Sequence, residues 1–148
     1  MSQAIHRRRV LRVGLALGTA LVIPAARACE FFTTTLRVTH PWTRASVGDA
    51  TSAMVCMTFD QVLRDDRLIG VATPVAATVE MGGAMAGPRV DFPIPQDRES
   101  ELSETGTYLR LVGLRFPLEV AREYPLQLVF EKGGVVDATL SVDYEAGA

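Results

Sequence analysis

The sequence predicts an all-β fold, a β-sandwich or Greek-key barrel of about eight strands. Three observations lead to this prediction. No long segment repeats apolar residues with the period of an amphipathic helix. The apolar runs are short, and several alternate with polar residues as half-buried strands do. Clusters of Gly, Pro and Asp separate these runs at intervals of about a dozen residues.

The candidate strands can be read in chain order. They are Leu36–His40, Ala53–Phe59, Arg67–Ala72, Ala76–Met81, Arg89–Phe92, Tyr108–Val112, Leu126–Glu131 and Val135–Tyr144. Pro41 is expected to end the first strand, because proline has no N–H to donate to a ladder. For the same reason, the segment around Pro93 and Pro95 is expected to be a sheet edge or a crossover.

The second candidate strand is apolar on both faces. Alternation places Met54 and Cys56 on one face and Val55 and Met57 on the other. We therefore expect this strand to be covered on both sides.

Residues 1–28 are predicted to be an export signal, and residues 29–148 the folded domain. His6–Arg9 and Arg12 give the leader a positively charged opening, and its central run, Val13–Ile23, is apolar. Ala26–Ala28 then has the small-x-small pattern that precedes a secretory cleavage site. The arginines fit both the twin-arginine and the Sec route. The expected location is the periplasm, with no transmembrane segment in the mature chain, because spanning a bilayer takes about 20 apolar residues.

The charge of the predicted domain excludes one class of partner. Without the five leader arginines, ten basic and 17 acidic residues give a formal charge of −7 with histidine neutral. Lys132 is the only lysine, and the arginines do not cluster. Nucleic-acid binding needs basic clusters that neutralise phosphates, so it is excluded. An anionic membrane surface would likewise repel the domain.

Two cysteines, Cys29 and Cys56, enter a compartment that favours disulfides. A Cys29–Cys56 disulfide is the candidate pairing. It would stabilise the domain by about 3 kcal/mol on the loop-entropy estimate. Cys29 directly follows the expected cleavage site, so lipid anchoring at this residue is the alternative. In that case Cys56 is a buried free thiol.

The residue patterns of common catalytic sites are missing. His40 is the only histidine outside the leader, which excludes a His dyad and a multi-histidine zinc site. The sequence contains no G-x-S-x-G elbow and no phosphate-binding glycine loop. Neighbouring acids such as Asp65 and Asp66 lie in a polar turn. The sequence therefore predicts a protein that is not an enzyme.

Two methionines lie beside glycines in the segment Ala77–Gly87. Thioether sulfur is a ligand that Cu(I) favours, and it survives an oxidising compartment better than a thiolate does. Met85 and Met81 are therefore the candidate metal ligands, and Cu(I) is the candidate ion. The alternative for each is core packing, the commoner role of methionine.

Several stretches, taken in order, resemble the periplasmic copper chaperones called PCu(A)C. The resemblance covers nearly the whole predicted domain and implies a cupredoxin-like Greek-key β-sandwich. It also implies an exported location and a family role in delivering Cu(I) to cytochrome c oxidase. The matching segments are Val38–Arg44, Ala53–Phe59, Asp66–Ala76, Val79–Met81, Phe92–Pro95, Tyr108–Leu114, Pro117–Leu118 and Leu126–Glu131.

The resemblance breaks down at the family's copper ligands. The family has a His where this chain has Gly82, and a His-x-Met pair where it has Tyr108 and Arg110. The intermediate Met of the family falls on or beside Ala86, so Met85 is its nearest candidate. Glycine has no ligating side chain, tyrosine is a weak ligand for a soft ion, and a permanent arginine cation repels Cu(I). The chain is thus expected to be a divergent member with a degenerate copper site.

Two functions are compatible with these residues. The first is a copper chaperone-like protein that binds Cu(I) through Met81 and Met85, or at an interface with a partner. That partner would be a periplasmic or membrane-bound protein of the cytochrome oxidase copper pathway. The second is a metal-free binding or assembly module, in which Tyr108 and Arg110 recognise an acidic or aromatic partner surface. Resemblance of fold does not choose between the two.

Overall fold

The computed structural model describes residues 29–147, and within that range it contains only β-strands and loops. The predicted export signal, residues 1–28, lies outside the described residues. The all-β prediction is confirmed. The strands are β1 (Glu30–Phe32), β2 (Arg37–Arg44), β3 (Ser52–Asp60), β4 (Asp66–Ala72), β5 (Ala76–Gly83), β6 (Phe92–Ile94), β7 (Ser100–Leu102), β8 (Thr107–Leu114), β9 (Glu123–Phe130) and β10 (Gly134–Tyr144).

The strands form one curled sheet. Its order is β5, β8, β3, β2, β10, β9, β4, β6, with β1 beside β2 and β7 beside β3. β10 and β2 run parallel, whereas the other paired strands run antiparallel. β6, which contains Pro93, lies at the end of this order, so the predicted edge position is confirmed.

The concave side of the sheet encloses the hydrophobic core. Val55 and Met57 of β3 point into it, as alternation predicted. Phe59, on the same strand, is fully buried between Phe92 and Phe130, with ring centroids 5.9 and 6.0 Å away. Buried aromatic pairs of this kind stabilise a core beyond the area that they bury. β3 is therefore held firmly in the middle of the sheet.

β2 does not end at Pro41, and that prediction is wrong. The register between β2 and β3 shifts between Thr39 and Trp42, and His40 adopts a left-handed backbone with φ 52°. Two residues, His40 and Pro41, thus lie opposite a single residue of β3, which is a β-bulge. The bulge accommodates the proline, and the strand continues to Arg44.

The bulge reverses which side chains of β2 point inward. Val38, before the bulge, is buried in the core, and Thr43, after it, is fully buried as well. The extra residue changes the alternation, so that Trp42 and Arg44 point to the convex side of the sheet.

Asp66, at the start of β4, holds three chain segments together. The Thr35 hydroxyl and the Gly133 N–H donate to Oδ2 at 2.6 and 2.9 Å. The N–H groups of Lys132 and Arg67 donate to Oδ1 at 2.8 Å each. Burial alone would raise the pKa of Asp66, but these four hydrogen bonds hold it below its usual value. They join the turn before β2, the start of β4 and the β9–β10 turn.

Candidate functional site

Gly82, Tyr108 and Arg110, which the resemblance predicts to replace family ligands, lie together on the convex side of the sheet. Gly82 pairs with Tyr108, and Glu80 pairs with Arg110, across β5 and β8. Arg110 pairs in turn with Met54 of β3. Residues directly opposite each other in a sheet point to the same side. We call these five positions, Met54, Glu80, Gly82, Tyr108 and Arg110, the outer face.

The ring of Tyr108 covers Gly82. A Cβ atom added at residue 82 would lie 2.2 Å from Cε2 and 2.7 Å from Cζ of Tyr108. Such distances are far inside van der Waals contact, so no side chain fits at residue 82 while the ring is in place. An aromatic ring packed across a strand glycine shields the bare backbone. The glycine and the tyrosine are therefore one arrangement, in which the ring occupies the space that a side chain at residue 82 would take.

Arg110 places a largely unpaired positive charge on the outer face. Its only ion-pair contact within the described residues is Nη1 to Glu80 Oε1 at 3.5 Å, and its side chain is 50% exposed. A long, exposed pair contributes little to stability. The guanidinium is therefore free to contact an acidic group, and it would repel a metal cation placed where the family has its Met.

The two candidate methionines lie in different environments. Met81 is 3% exposed and belongs to the hydrophobic core. Met85 is 43% exposed, in the turn that follows β5. Two hydrogen bonds between Met81 and Gly87, of 2.9 and 3.1 Å, close this turn. Of this pair, only Met85 is accessible to an ion from solvent.

A cluster of charged and aromatic side chains adjoins the outer face at the end of β2. The Arg44 guanidinium donates to both carboxylate oxygens of Glu104, at 2.5 and 3.2 Å. It also lies 5.2 Å from the ring centre of Tyr144 and 6.0 Å from that of Trp42. The two rings pack edge to face with centroids 4.8 Å apart. We call these four residues the Arg44 cluster.

Cys56 is buried beside this cluster. It pairs with Trp42 across β3 and β2, it is 1% exposed, and alternation places it on the opposite face of β3 from Val55 and Met57. Burial, and to a lesser degree the charge of Glu104, raise the pKa of the Cys56 thiol to about 12, while Arg44 acts in the opposite direction. The thiol is therefore protonated and unreactive at neutral pH.

The predicted Cys29–Cys56 disulfide is not present, and both cysteines are free. The strand order gives the reason. β1 and β3 pair with opposite edges of β2, so β2 runs between the two cysteines. Two interstrand steps of about 4.8 Å separate the backbones by about 10 Å, beyond the limit of about 7 Å for a disulfide. The Cys29 sulfur lies instead 3.7 Å from the Ser141 hydroxyl.

A cavity of about 720 Å³ opens between the outer face and the Arg44 cluster. Its polar lining includes Arg44, Glu104, Tyr108 and Arg110, and its apolar lining includes Met54. This volume lies in the range of sites that hold small ligands or the anchoring side chains of a partner.

The described residues contain no group of three or more His, Cys, Asp and Glu side chains arranged to hold a metal ion. His40 is engaged elsewhere, with Nε2 2.7 Å from Asp143 Oδ2. Within residues 29–147, no helix is long and apolar enough to cross a membrane. Gly82, Tyr108 and Arg110, the outer-face residues that the resemblance aligns with family ligands, carry neither an imidazole nor a thioether.

Residues 36–142 match the family described as "LpqE-like: Putative lipoprotein LpqE-like". The chain belongs to this family. Among solved structures, it resembles the copper-bound PCuAC domain from PmoF2, with 27% identity and a TM-score of 0.69, over 78% of this chain and 97% of that domain. No curated protein sequence matches the chain.

Two further solved structures agree with this assignment. The apo PCuAC domain from PmoF1 is 25% identical with a TM-score of 0.70, over 78% of this chain and 98% of that domain. Cu(I)-bound DR1885 from Deinococcus radiodurans, at 22% identity and a TM-score of 0.61, covers 82% of this chain and 85% of its own and supports the fold. The predicted membership of the PCu(A)C family and its cupredoxin-like fold are therefore confirmed. This family is a copper chaperone-type domain and not a known enzyme class.

Sequence reasoning singled out Gly82, Tyr108 and Arg110, whose role as replaced ligands stays a prediction, and it did not assemble the Arg44 cluster. Arg44 and Glu104 are 60 residues apart, and no local pattern links them. The available signal was the presence of Trp42 close to Arg44 in the chain, but the contacts of this cluster depend on the fold.

Proposed function

We propose that this protein is an exported, non-enzymatic copper chaperone-like protein with a degenerate metal site. It would be related to those that deliver Cu(I) to cytochrome c oxidase. The observation that supports the proposal is the outer face, where the positions that the resemblance aligns with family ligands lie together but the Tyr108 ring fills the space above Gly82. Cu(I) is cargo here and has to be released to a partner, so a site with few ligands of its own is compatible with the role.

Export and attachment are part of this proposal. Residues 1–28 would direct the chain to the periplasm, where its partner is a periplasmic or membrane-bound protein. The family's description as a putative lipoprotein supports lipid anchoring at Cys29. The separation of Cys29 from Cys56 by β2 supports the same alternative, because it leaves Cys29 without a disulfide partner.

A second candidate function is a metal-free binding or assembly module that uses the former copper face. The observation in its favour is the cavity beside Tyr108 and Arg110. The exposed Arg110 guanidinium would contact an acidic group of a protein partner, and the Tyr108 ring would supply aromatic contact area.

An anaerobic Cu(I) titration against a chromogenic chelator tests the proposal. The wild type is compared with a variant that rebuilds the family's ligands, Gly82→His/Tyr108→His/Arg110→Met. Lys132→His is the control, because it adds an imidazole near Asp66 and away from the outer face. We expect the wild type to compete for Cu(I) at least about tenfold more weakly than the rebuilt variant, a difference of about 1.4 kcal/mol.

Two outcomes would contradict parts of the proposal. A wild type that binds Cu(I) as tightly as the rebuilt variant would refute the degenerate site. A wild type that never competes with the chelator, while the rebuilt variant does, would refute the copper role and leave the metal-free module.

A further inference from the structure

The cavity beside the outer face is built on three strands of the sheet. The end of β2 supplies Arg44, and the start of β3 supplies Met54. Tyr108 and Arg110 come from β8, and Val47 comes from the loop between β2 and β3. Most of the walls therefore belong to paired strands, and the volume of about 720 Å³ is in the range of sites for small ligands.

The charged groups that line the cavity leave one positive charge in excess. Among the described residues of the lining, Arg44, Glu104 and Arg110 are charged. Arg44 donates to both carboxylate oxygens of Glu104, so these two charges balance. Glu80, the ion-pair contact of Arg110, is not part of the lining and is 3.5 Å away. The cavity is thus locally positive in a predicted domain whose formal charge is −7.

Arg110 is suited to bind a carboxylate in this cavity. A guanidinium presents a planar fork of N–H donors that matches the two oxygens of a carboxylate. The contact with Glu80 uses Nη1 alone, and its 3.5 Å exceeds the length of about 2.7–2.9 Å that is usual for a charge-assisted hydrogen bond. Tyr108, two residues away on the same face of β8, carries an O–H group that can also donate. A carboxylate would therefore replace one weak contact by stronger ones.

The apolar lining indicates what the carboxylate is attached to. Met54, Ala50 and Ala53 line the cavity together with Val47, which is 56% exposed. Covering this apolar surface is favourable. Val47 is the only member of this lining among the nine large apolar side chains that are exposed within residues 29–147. A protein interface buries about 800 Å² on each partner, so this confined apolar surface suits a small ligand better than an extended partner surface.

We infer that the cavity binds a small organic acid, with its carboxylate on Arg110 and its apolar body against Met54 and Val47. This inference goes beyond the proposed function, and binding needs no copper. The permanent positive charge of Arg110, which repels a metal cation, attracts an anion at the same place.

A titration without copper, followed by NMR on the backbone amides of the isotope-labelled wild type, tests the inference. The probes are cinnamate, its neutral amide cinnamamide of nearly the same shape, and acetate, which has no apolar body. We expect cinnamate to bind saturably and to shift the amides of residues 46–54 and 107–110, which surround the cavity. Cinnamamide and acetate should each bind at least about tenfold more weakly, because the first lacks the charge and the second lacks the apolar body.

Three variants assign this binding to the cavity. Arg110→Gln should weaken cinnamate binding at least about tenfold and change cinnamamide binding less than about twofold, because it removes the charge alone. Arg67→Gln is the matched control: Arg67 is 44% exposed, pairs with one acid and belongs to β4, far from β8 in the strand order. It should leave both affinities within about twofold of the wild type. Val47→Ser should weaken both probes alike, by about threefold, because it removes apolar contact.

Several results would overturn the inference. Cinnamate and cinnamamide could bind the wild type equally, or cinnamate could give no saturable shift at about 10 mM. These two results do not depend on the folding of a variant. Equal losses of cinnamate binding in Arg110→Gln and Arg67→Gln would place the binding elsewhere.

An acidic peptide that shifts the same amides when cinnamate does not would overturn the inference in favour of a protein partner. The copper role fails separately. A wild type that binds cinnamate but no Cu(I) would overturn the copper role alone, and a wild type that binds Cu(I) but no cinnamate would overturn this inference alone.

Discussion

Gly82→Ala tests whether the Tyr108 ring lies over residue 82 in solution. The new Cβ atom would lie 2.2 Å from Cε2 of Tyr108, whereas ordinary contact begins near 3.4 Å. The ring therefore has to move by more than 1 Å, or the strand has to shift. Overpacking of this kind lowers the free energy of unfolding by about 1–3 kcal/mol.

Once the ring is removed, Gly82→Ala is expected to raise the free energy of unfolding instead of lowering it. In a Tyr108→Ala background nothing of the ring opposes the new methyl group, and alanine in a strand is about 0.5–1 kcal/mol more favourable than glycine. The difference between the two backgrounds, about 1.5–4 kcal/mol, is the coupling between residues 82 and 108.

Urea denaturation followed by circular dichroism would measure this coupling in a double-mutant cycle. Gly48→Ala is the control, because a Cβ there meets no atom within 4 Å. If Gly82→Ala had the same effect in both backgrounds, within about 0.5 kcal/mol, the ring would not lie over residue 82. The steric reason for a degenerate site would then be lost.

Three further predictions concern buried groups. Asp66→Asn should lower the free energy of unfolding by about 3 kcal/mol, because it breaks hydrogen bonds to a buried carboxylate. The pKa of Asp66 is lowered by folding, so its contribution is present above the unfolded pKa of about 3.9 and is lost as pH falls through the lower folded pKa. If urea denaturation gave the same difference in the free energy of unfolding between wild type and Asp66→Asn at pH 3 and at pH 7, the predicted pH dependence would be wrong. Cys56 should not react with a thiol reagent at pH 8 until the protein unfolds, because its thiol is buried and its pKa is raised. Cys29 is partly exposed and should react in the native state. Equal labelling rates for the two cysteines, measured by mass spectrometry, would contradict this prediction. Phe59→Ala should lower the free energy of unfolding, measured by urea denaturation, by about 3–5 kcal/mol. A decrease below about 1 kcal/mol would mean that the two aromatic neighbours of Phe59 move into the space that its ring leaves.

The eight predicted strands all have observed counterparts near their predicted positions, because a period of two is a local property that tertiary contacts reinforce. The strands that were missed, β1 and β7, have three residues each, too few to establish a period. Pro41 misled the prediction for β2, because the bulge that tolerates it depends on a left-handed His40 and on pairing with β3.

The candidate site was only partly predictable. Alternation and resemblance singled out Gly82, Tyr108 and Arg110, and the structure brings these three residues together on one side of the sheet, while their role as replaced ligands stays a prediction. The contact between the Tyr108 ring and Gly82 depends on the register of β5 against β8, which a single sequence does not specify. The Cys29–Cys56 disulfide was predicted from counting cysteines, and the strand order that separates them is a property of the whole fold.

The bulge at His40 has a consequence for how this chain tolerates change. Deletion of one of the two bulge residues, His40 or Pro41, would leave a single residue opposite Met57 and keep the pairs Thr39–Thr58 and Trp42–Cys56. Trp42 and Arg44 would then stay on the convex side, and Thr43 would stay buried. The bulge therefore makes β2 tolerant of a one-residue deletion between Thr39 and Trp42, whereas a one-residue slip of the strand beyond Trp42 would exchange the buried and convex sides of the residues that follow.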